Sequence, residues 1–136
     1  MLIGLRHGHM GLGYLLVLSS SISVLLALAN AALGTKPGLV KIGAVLGRRV
    51  EPGLMGINSL LGIVVWVLMG IPLTAIYPWL GVGALIVQGA LVGMLTKPAL
   101  VSLAAGDDSA RFKWVLAAVL NAVVIIGIFG AMQAKP

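Results

Sequence analysis

The chain contains no cysteine, which excludes disulfides, thiolate metal sites and thiol redox chemistry. Acidic residues are almost as scarce: three Asp and Glu stand against nine Lys and Arg, with two histidines. Charged residues make up 9% of the chain, where a soluble domain carries roughly 25%. With 60% of its 136 residues hydrophobic, a water-soluble fold could not cover its own surface. These shortages predict an integral membrane protein, all-α, forming one transmembrane domain over 1–136. The net charge of +6 would suggest nucleic acid in a soluble protein. Here the basic residues fall between apolar runs, so membrane topology and anionic lipid at the cytoplasmic face account for them, and nucleic acid is not an expected partner.

What is abundant is arranged in four apolar runs, about 10–33, 54–73, 79–95 and 112–132. The first, with Arg6 before it and Ala29-Asn30-Ala31 near its end, mimics a signal peptide. Its apolar stretch exceeds the h-region length of about 7–15 residues, so it reads as a span. Gly34, Thr35, Lys36, Pro37 and Gly38 stop it. A basic loop over 34–53 follows; Leu39, Val40, Ile42, Val45 and Leu46 within it suggest a short helix in the headgroup plane. Pro72, Tyr77, Pro78 and Trp79 mark an uncharged turn at the opposite interface. Thr96-Lys97-Pro98 is expected to end the third span and begin a second basic loop over 96–111.

Lys36, Lys41, Arg48 and Arg49, with Lys97, Arg111 and Lys113, fall on one side of this plan, and Arg6 and Lys135 on the other. The positive-inside rule then places both termini on the non-cytoplasmic side, with His7 and His9 level with Tyr77 and Trp79.

No ionisable side chain falls near the middle of any span so drawn. Proton relays, voltage sensors and most ion-coupled transporters need such groups at depth, so a self-sufficient pump is not expected. Neutral polar residues do occur: Ser19, Ser20, Ser21, Ser23 and Asn30 in the first run, Asn58 and Ser59 in the second, Gln88 in the third and Asn121 in the fourth. An amide facing lipid leaves its donors unpaired. Asn58, Gln88 and Asn121 should therefore find partners on other helices, or line a pocket for a quinone headgroup or pigment. Gly89 and Gly93 form a GxxxG pair, and Ala118 with Ala122 and Gly127 with Ala131 repeat the small spacing. Such pairs let helix backbones approach, within the bundle or across a dimer.

His7, His9 and Met10 are the only plausible ligands for a metal or tetrapyrrole, since imidazole suits copper, iron and zinc and thioether suits Cu(I). On a helix the two rings of His7-Gly8-His9 diverge; on an extended segment they share a face. A single imidazole suffices as one axial ligand to haem or chlorophyll. The alternative is that both histidines are interfacial polar residues flanking a helix. No paired carboxylate, Ser-His arrangement or phosphate loop indicates an enzyme.

A histidine near the start of span one, then Gly13-Tyr14, an Arg-bearing first loop, a third span ending at Leu95-Thr96-Lys97-Pro98 and a polar loop before the last span complete the layout. This plan resembles small bacterial inner-membrane proteins of the SirB and copper-resistance-D kind, related in outline to four-helix cytochromes b. The resemblance implies a bacterial inner or photosynthetic membrane and haem bound by histidine. The chain departs from those cytochromes in carrying only His7 and His9, where they have histidines on several spans.

The expected function is that of a small accessory or assembly subunit of a respiratory or photosynthetic electron-transfer complex. The alternatives are a haem-, chlorophyll- or copper-binding protein using His7 or His9, and a component of a small-molecule transporter. The charge count is testable. A reporter active only outside the cytoplasm should work when fused after Pro136 and fail when inserted at Lys41 or at Ser109; the reverse pattern would invert the topology.

Overall fold

Nothing between Leu2 and Leu33 is strong enough to stop a helix, so α1 (Leu2–Leu33) begins eight residues before the expected first span. It ends at Gly34, whose φ of 78° suits glycine alone. The Lys36 backbone N–H then donates to Asn30 Oδ1 at 3.0 Å, which closes the turn. The computed structural model describes residues 1–134, so the Lys135 of the charge count lies outside the described residues.

The expected basic loop 34–53 is corrected next. Only 34–36 are irregular; α2 (Pro37–Val45), a π-turn (Leu46–Val50) and α3 (Glu51–Leu68) form one helix of 32 residues. The segment is not a separate short helix; it is the first half of the second long helix. The third helix departs from its expected bounds of 79–95 in the same way. α4 (Ile76–Leu91), a second π-turn (Val92–Thr96) and α5 (Lys97–Ala104) run through Lys97-Pro98, so most of the expected loop 96–111 is helical too. The reason is the same in both places. A proline inside a helix lacks its N–H and its ring presses on the carbonyl one turn back. Pro52 and Pro98 each stand in the first turn after a π-turn, where the wider i→i+5 spacing absorbs that defect. The helix therefore continues where a break was expected.

The last helix keeps its expected limits. Asp107 Oδ1 accepts from the Ser109 backbone N–H at 3.0 Å and from its hydroxyl at 2.6 Å, which hold the Asp107 carboxyl below the ordinary carboxylate range. A 3-10 turn (Asp108–Ala110) then leads into α6 (Arg111–Gln133).

Four helices are thus long and apolar enough to cross a membrane. α1 packs on α3 and α6, and α4 packs on the same two, giving a ring of four antiparallel neighbours. The exterior is hydrocarbon: Leu25, Leu60, Val67, Ile86, Met94 and Val123 are all exposed. One indole–indole pair, Trp66 and Trp79 with centroids 5.8 Å apart, staples the turn between α3 and α4. Trp66 Nε1–H donates to Ile71 O and Trp79 Nε1–H to Leu73 O, each at 2.8 Å.

The interior is layered. Towards the end bearing the basic turns, Trp114 sits among Ala27, Val40, Leu100, Leu103 and Ala118. Towards the N-terminal end, Leu16, Met55, Ala84 and Ile125, one from each long helix, form a second apolar cluster. The Trp114 indole lies directly on Gly43, and a methyl group built there would overlap its ring. Gly43→Ala is therefore expected to lower stability by about 1–3 kcal/mol through overpacking. Gly56→Ala in α3, where the added carbon meets nothing within 4 Å, should raise it by roughly 0.5–1 kcal/mol through helix propensity. Thermal melts in mild detergent read both, and equal melts would contradict the packing at Trp114.

Candidate functional site

The polar side chains of the four helices converge at two levels. The first is a cavity of about 550 Å³ at the N-terminal end of the bundle, within the size range of small-molecule sites. Every long helix lines it. α1 supplies Arg6, His9 and Met10; α3 supplies Asn58 and Trp66; the turn supplies Ile71; α4 supplies Tyr77 and Pro78; α6 supplies Phe129 and Met132. Four of the six methionines, Met10, Met55, Met69 and Met132, stand on its wall, a flexible and polarisable surface that adapts to a ligand's shape.

His9 is half-buried, and its Nδ1 lies 3.1 Å from the Asn58 backbone oxygen. A carbonyl only accepts, so Nδ1 carries the hydrogen and Nε2 keeps a lone pair with no protein partner. Gly62 permits this placement: the position its Cβ would take is 3.0 Å from the His9 ring. The Asn58 side-chain oxygen is buried and unpaired. The cavity thus presents two unsatisfied acceptors beside an exposed guanidinium, Arg6.

His7 is separate. It is exposed, and its Nδ1 donates to the Ile3 carbonyl oxygen of its own helix at 2.8 Å. His-Gly-His being helical, the two rings diverge, and the structure brings His9 and Met10 to the cavity without His7. Among the described residues no three His, Asp or Glu side chains gather as a metal set. A chelate built on both histidines does not fit this arrangement, because only His9 faces the cavity.

The second level lies deeper. One helical turn from the apolar cluster towards the basic end, each long helix contributes one polar residue: Ser20 follows Leu16, Glu51 precedes Met55, Gln88 follows Ala84 and Asn121 precedes Ile125. All four are buried, at 1%, 1%, 1% and 4% exposure. Each stands near the middle of its helix. Ser23 Oγ–H donates to Glu51 Oε1 and Asn121 Nδ2–H to Glu51 Oε2, so α1, α3 and α6 meet at one carboxylate. Among the described residues no lysine or arginine pairs with it. Asn121 Oδ1 and Gln88 Nε2 are buried and unpaired.

Glu51 corrects the expectation that no ionisable group reaches the middle of a span. It was assigned to a loop because Arg48, Arg49 and Pro52 surround it. The signal was present: Val40, Gly43, Gly47, Glu51, Met55, Asn58, Gly62 and Val65 follow at helical spacing through the supposed loop, and all are buried or half-buried.

The other expected residues divide. Asn121 has its interhelical partner in Glu51. Gln88 is buried with its amide nitrogen free, and Asn58 accepts His9 through its backbone while its side-chain oxygen stays free. Ala118 and Ala122 are buried inside the bundle. Gly89 and Gly93 are not: both are exposed, and an added Cβ would meet nothing within 4 Å at either. The GxxxG pair does not draw helices together within this chain.

No family model, no curated protein and no solved structure matches the chain.

Proposed function

We propose that the protein is a small, non-catalytic membrane subunit that holds a lipid-soluble ring compound bearing hydroxyl donors, of the quinol class, in its N-terminal cavity. The reading rests on one observation above others: among the described residues His9 Nε2 and Asn58 Oδ1 are both acceptors without partners, in a cavity whose wall also carries four methionines and the rings of Trp66, Tyr77 and Phe129. Leaving the buried Asn58 oxygen unsatisfied is costly, and a headgroup with two O–H donors would satisfy it together with the free nitrogen of His9. The apolar wall suits the ring and the start of an isoprenoid tail.

The surrounding features support a role within a larger respiratory or photosynthetic membrane complex. The exposed, flat stretch at Gly89 and Gly93 would admit a helix of another subunit. The Lys and Arg distribution favours both termini outside the cytoplasm, with the cavity opening near the outer interface and the basic turns against anionic lipid.

A second reading, a haem or chlorophyll protein, is favoured by the same Nε2 lone pair. Its Nδ1–H is anchored on a backbone carbonyl, the arrangement that orients imidazole ligands. His9 would be the axial ligand, and the group would supply light absorption or one-electron chemistry. Copper would find His9 with thioethers such as Met10, without His7.

His9→Phe separates these readings from an empty cavity, because it keeps a ring against Gly62 and removes both nitrogens. Binding of a short-tailed benzoquinol to the purified protein should weaken roughly tenfold, the worth of one hydrogen bond of about 1.4 kcal/mol. His7→Phe should leave it unchanged. A visible Soret or Q band in the wild type that disappears in His9→Phe would select the tetrapyrrole. Equal quinol binding by all three proteins, with no pigment, would overturn the assignment of the cavity.

A further inference from the structure

We infer that the layer of Ser20, Glu51, Gln88 and Asn121 is a proton-binding site, with Glu51 as the group that takes up and releases the proton. This goes beyond the ligand assigned to the cavity and does not depend on it.

These four polar residues stand at one level of the bundle, and Glu51 is bonded there to Ser23 and Asn121, with the Leu16, Met55, Ala84 and Ile125 cluster on one side and the Trp114 cluster on the other. A carboxyl group so enclosed needs a counter-charge, and an intramembrane acid without one marks a functional site. The surroundings offer no counter-ion. Along α1 the nearest ionisable residue towards the N-terminus is Tyr14, and none follows before Lys36. α4 has none below Tyr77 until Lys97, which is exposed. α6 has Arg111 and Lys113 only in its first turn. On Glu51's own helix, Arg48 and Arg49 are exposed and point away from the buried face.

The geometry selects a proton over a metal cation. Both carboxylate oxygens already face donor hydrogens, from Ser23 Oγ–H and Asn121 Nδ2–H. A metal ion would meet those hydrogens, and both donors would have to turn away. A proton requires one amide to turn. When it bonds to Glu51 Oε2, the new O–H becomes a donor. Asn121 then rotates its amide by half a turn and accepts that hydrogen at Oδ1, the oxygen now buried without a partner. Loss of the proton reverses the rotation and restores the Nδ2–H bond. One asparagine thus serves both states of the acid.

The chain has three acidic side chains, Glu51, Asp107 and Asp108, so infrared spectroscopy can assign each carboxyl. The protein in lipid nanodiscs should show a carboxylic-acid C=O band at neutral pH that shifts in D2O and disappears at alkaline pH. Glu51→Gln, which keeps shape and length, should abolish it entirely. Asp107→Asn and Asp108→Asn should leave it. Asn121→Leu should retain the band but move it to higher frequency, because the acid loses its acceptor; circular dichroism confirms that each variant is folded. The proposal fails if the wild type shows only carboxylate from mildly acid to alkaline pH, or if Glu51→Gln leaves the band unchanged. It also fails if sodium chloride, but not potassium chloride, removes the band at constant pH, which would make the layer a metal-cation site.

Discussion

A carboxyl group inside an apolar bundle fixes more of this structure than any apolar contact does. Hydrophobic burial is non-directional, and the outer faces of these helices are as greasy as their inner faces. Apolar contacts alone would let each helix rotate or slide at little cost. Glu51 removes that freedom. Its two oxygens require donors, and Ser23 and Asn121 provide them from α1 and α6. Rotating either helix by one residue would strand a buried polar group, at a cost of about 1–3 kcal/mol or more for a charged one. The register of three helices is thereby set at one point. The apolar layers above and below it then pack in the alignment that this point dictates.

The same residue explains where the amino-acid sequence is legible and where it misleads. Four apolar runs, the uncharged turn between α3 and α4, and the start of α6 follow from composition and from breakers alone. The lengths of the second and third helices do not. Glu51-Pro52 and Lys97-Pro98 carry a charge and a proline side by side, the usual signs of an ending. Each is instead preceded by a π-turn that carries the helix through it, and the two π-turns pack together, with Thr96 Cγ2 3.1 Å from the Cβ position of Gly47. A local rule for proline cannot anticipate this, because the neighbouring helix makes the wider turn worthwhile. Only the long-range stripe of small and buried positions from Val40 to Val65 carries the information.

At the histidines the chemistry was legible and the geometry only half so. A helical His-Gly-His must split its rings, and it does. Which ring turns inward depends on Gly62, far along the chain from any local cue, whose missing side chain makes room for His9. The glycine pair in α4 erred in the other direction. GxxxG states that a close approach is allowed, not who approaches, and here the chain itself leaves Gly89 and Gly93 uncovered.

The cavity and the polar layer are not independent compartments. Leu16, Met55 and Ile125 form the floor of the cavity and also the apolar seal above the layer. Met55 stands one turn from Glu51 on α3, and Ile125 one turn from Asn121 on α6. The floor residues Met55 and Ile125 therefore sit on the two helices that carry the ends of the Glu51–Asn121 hydrogen bond. The seal is built partly of methionine, the side chain that repacks at least cost, while the bond beneath it tolerates little displacement. Flexible side chains thus line the floor of the cavity, and the Asn121 amide, with one atom bonded to Glu51 and one free, lies one turn below them.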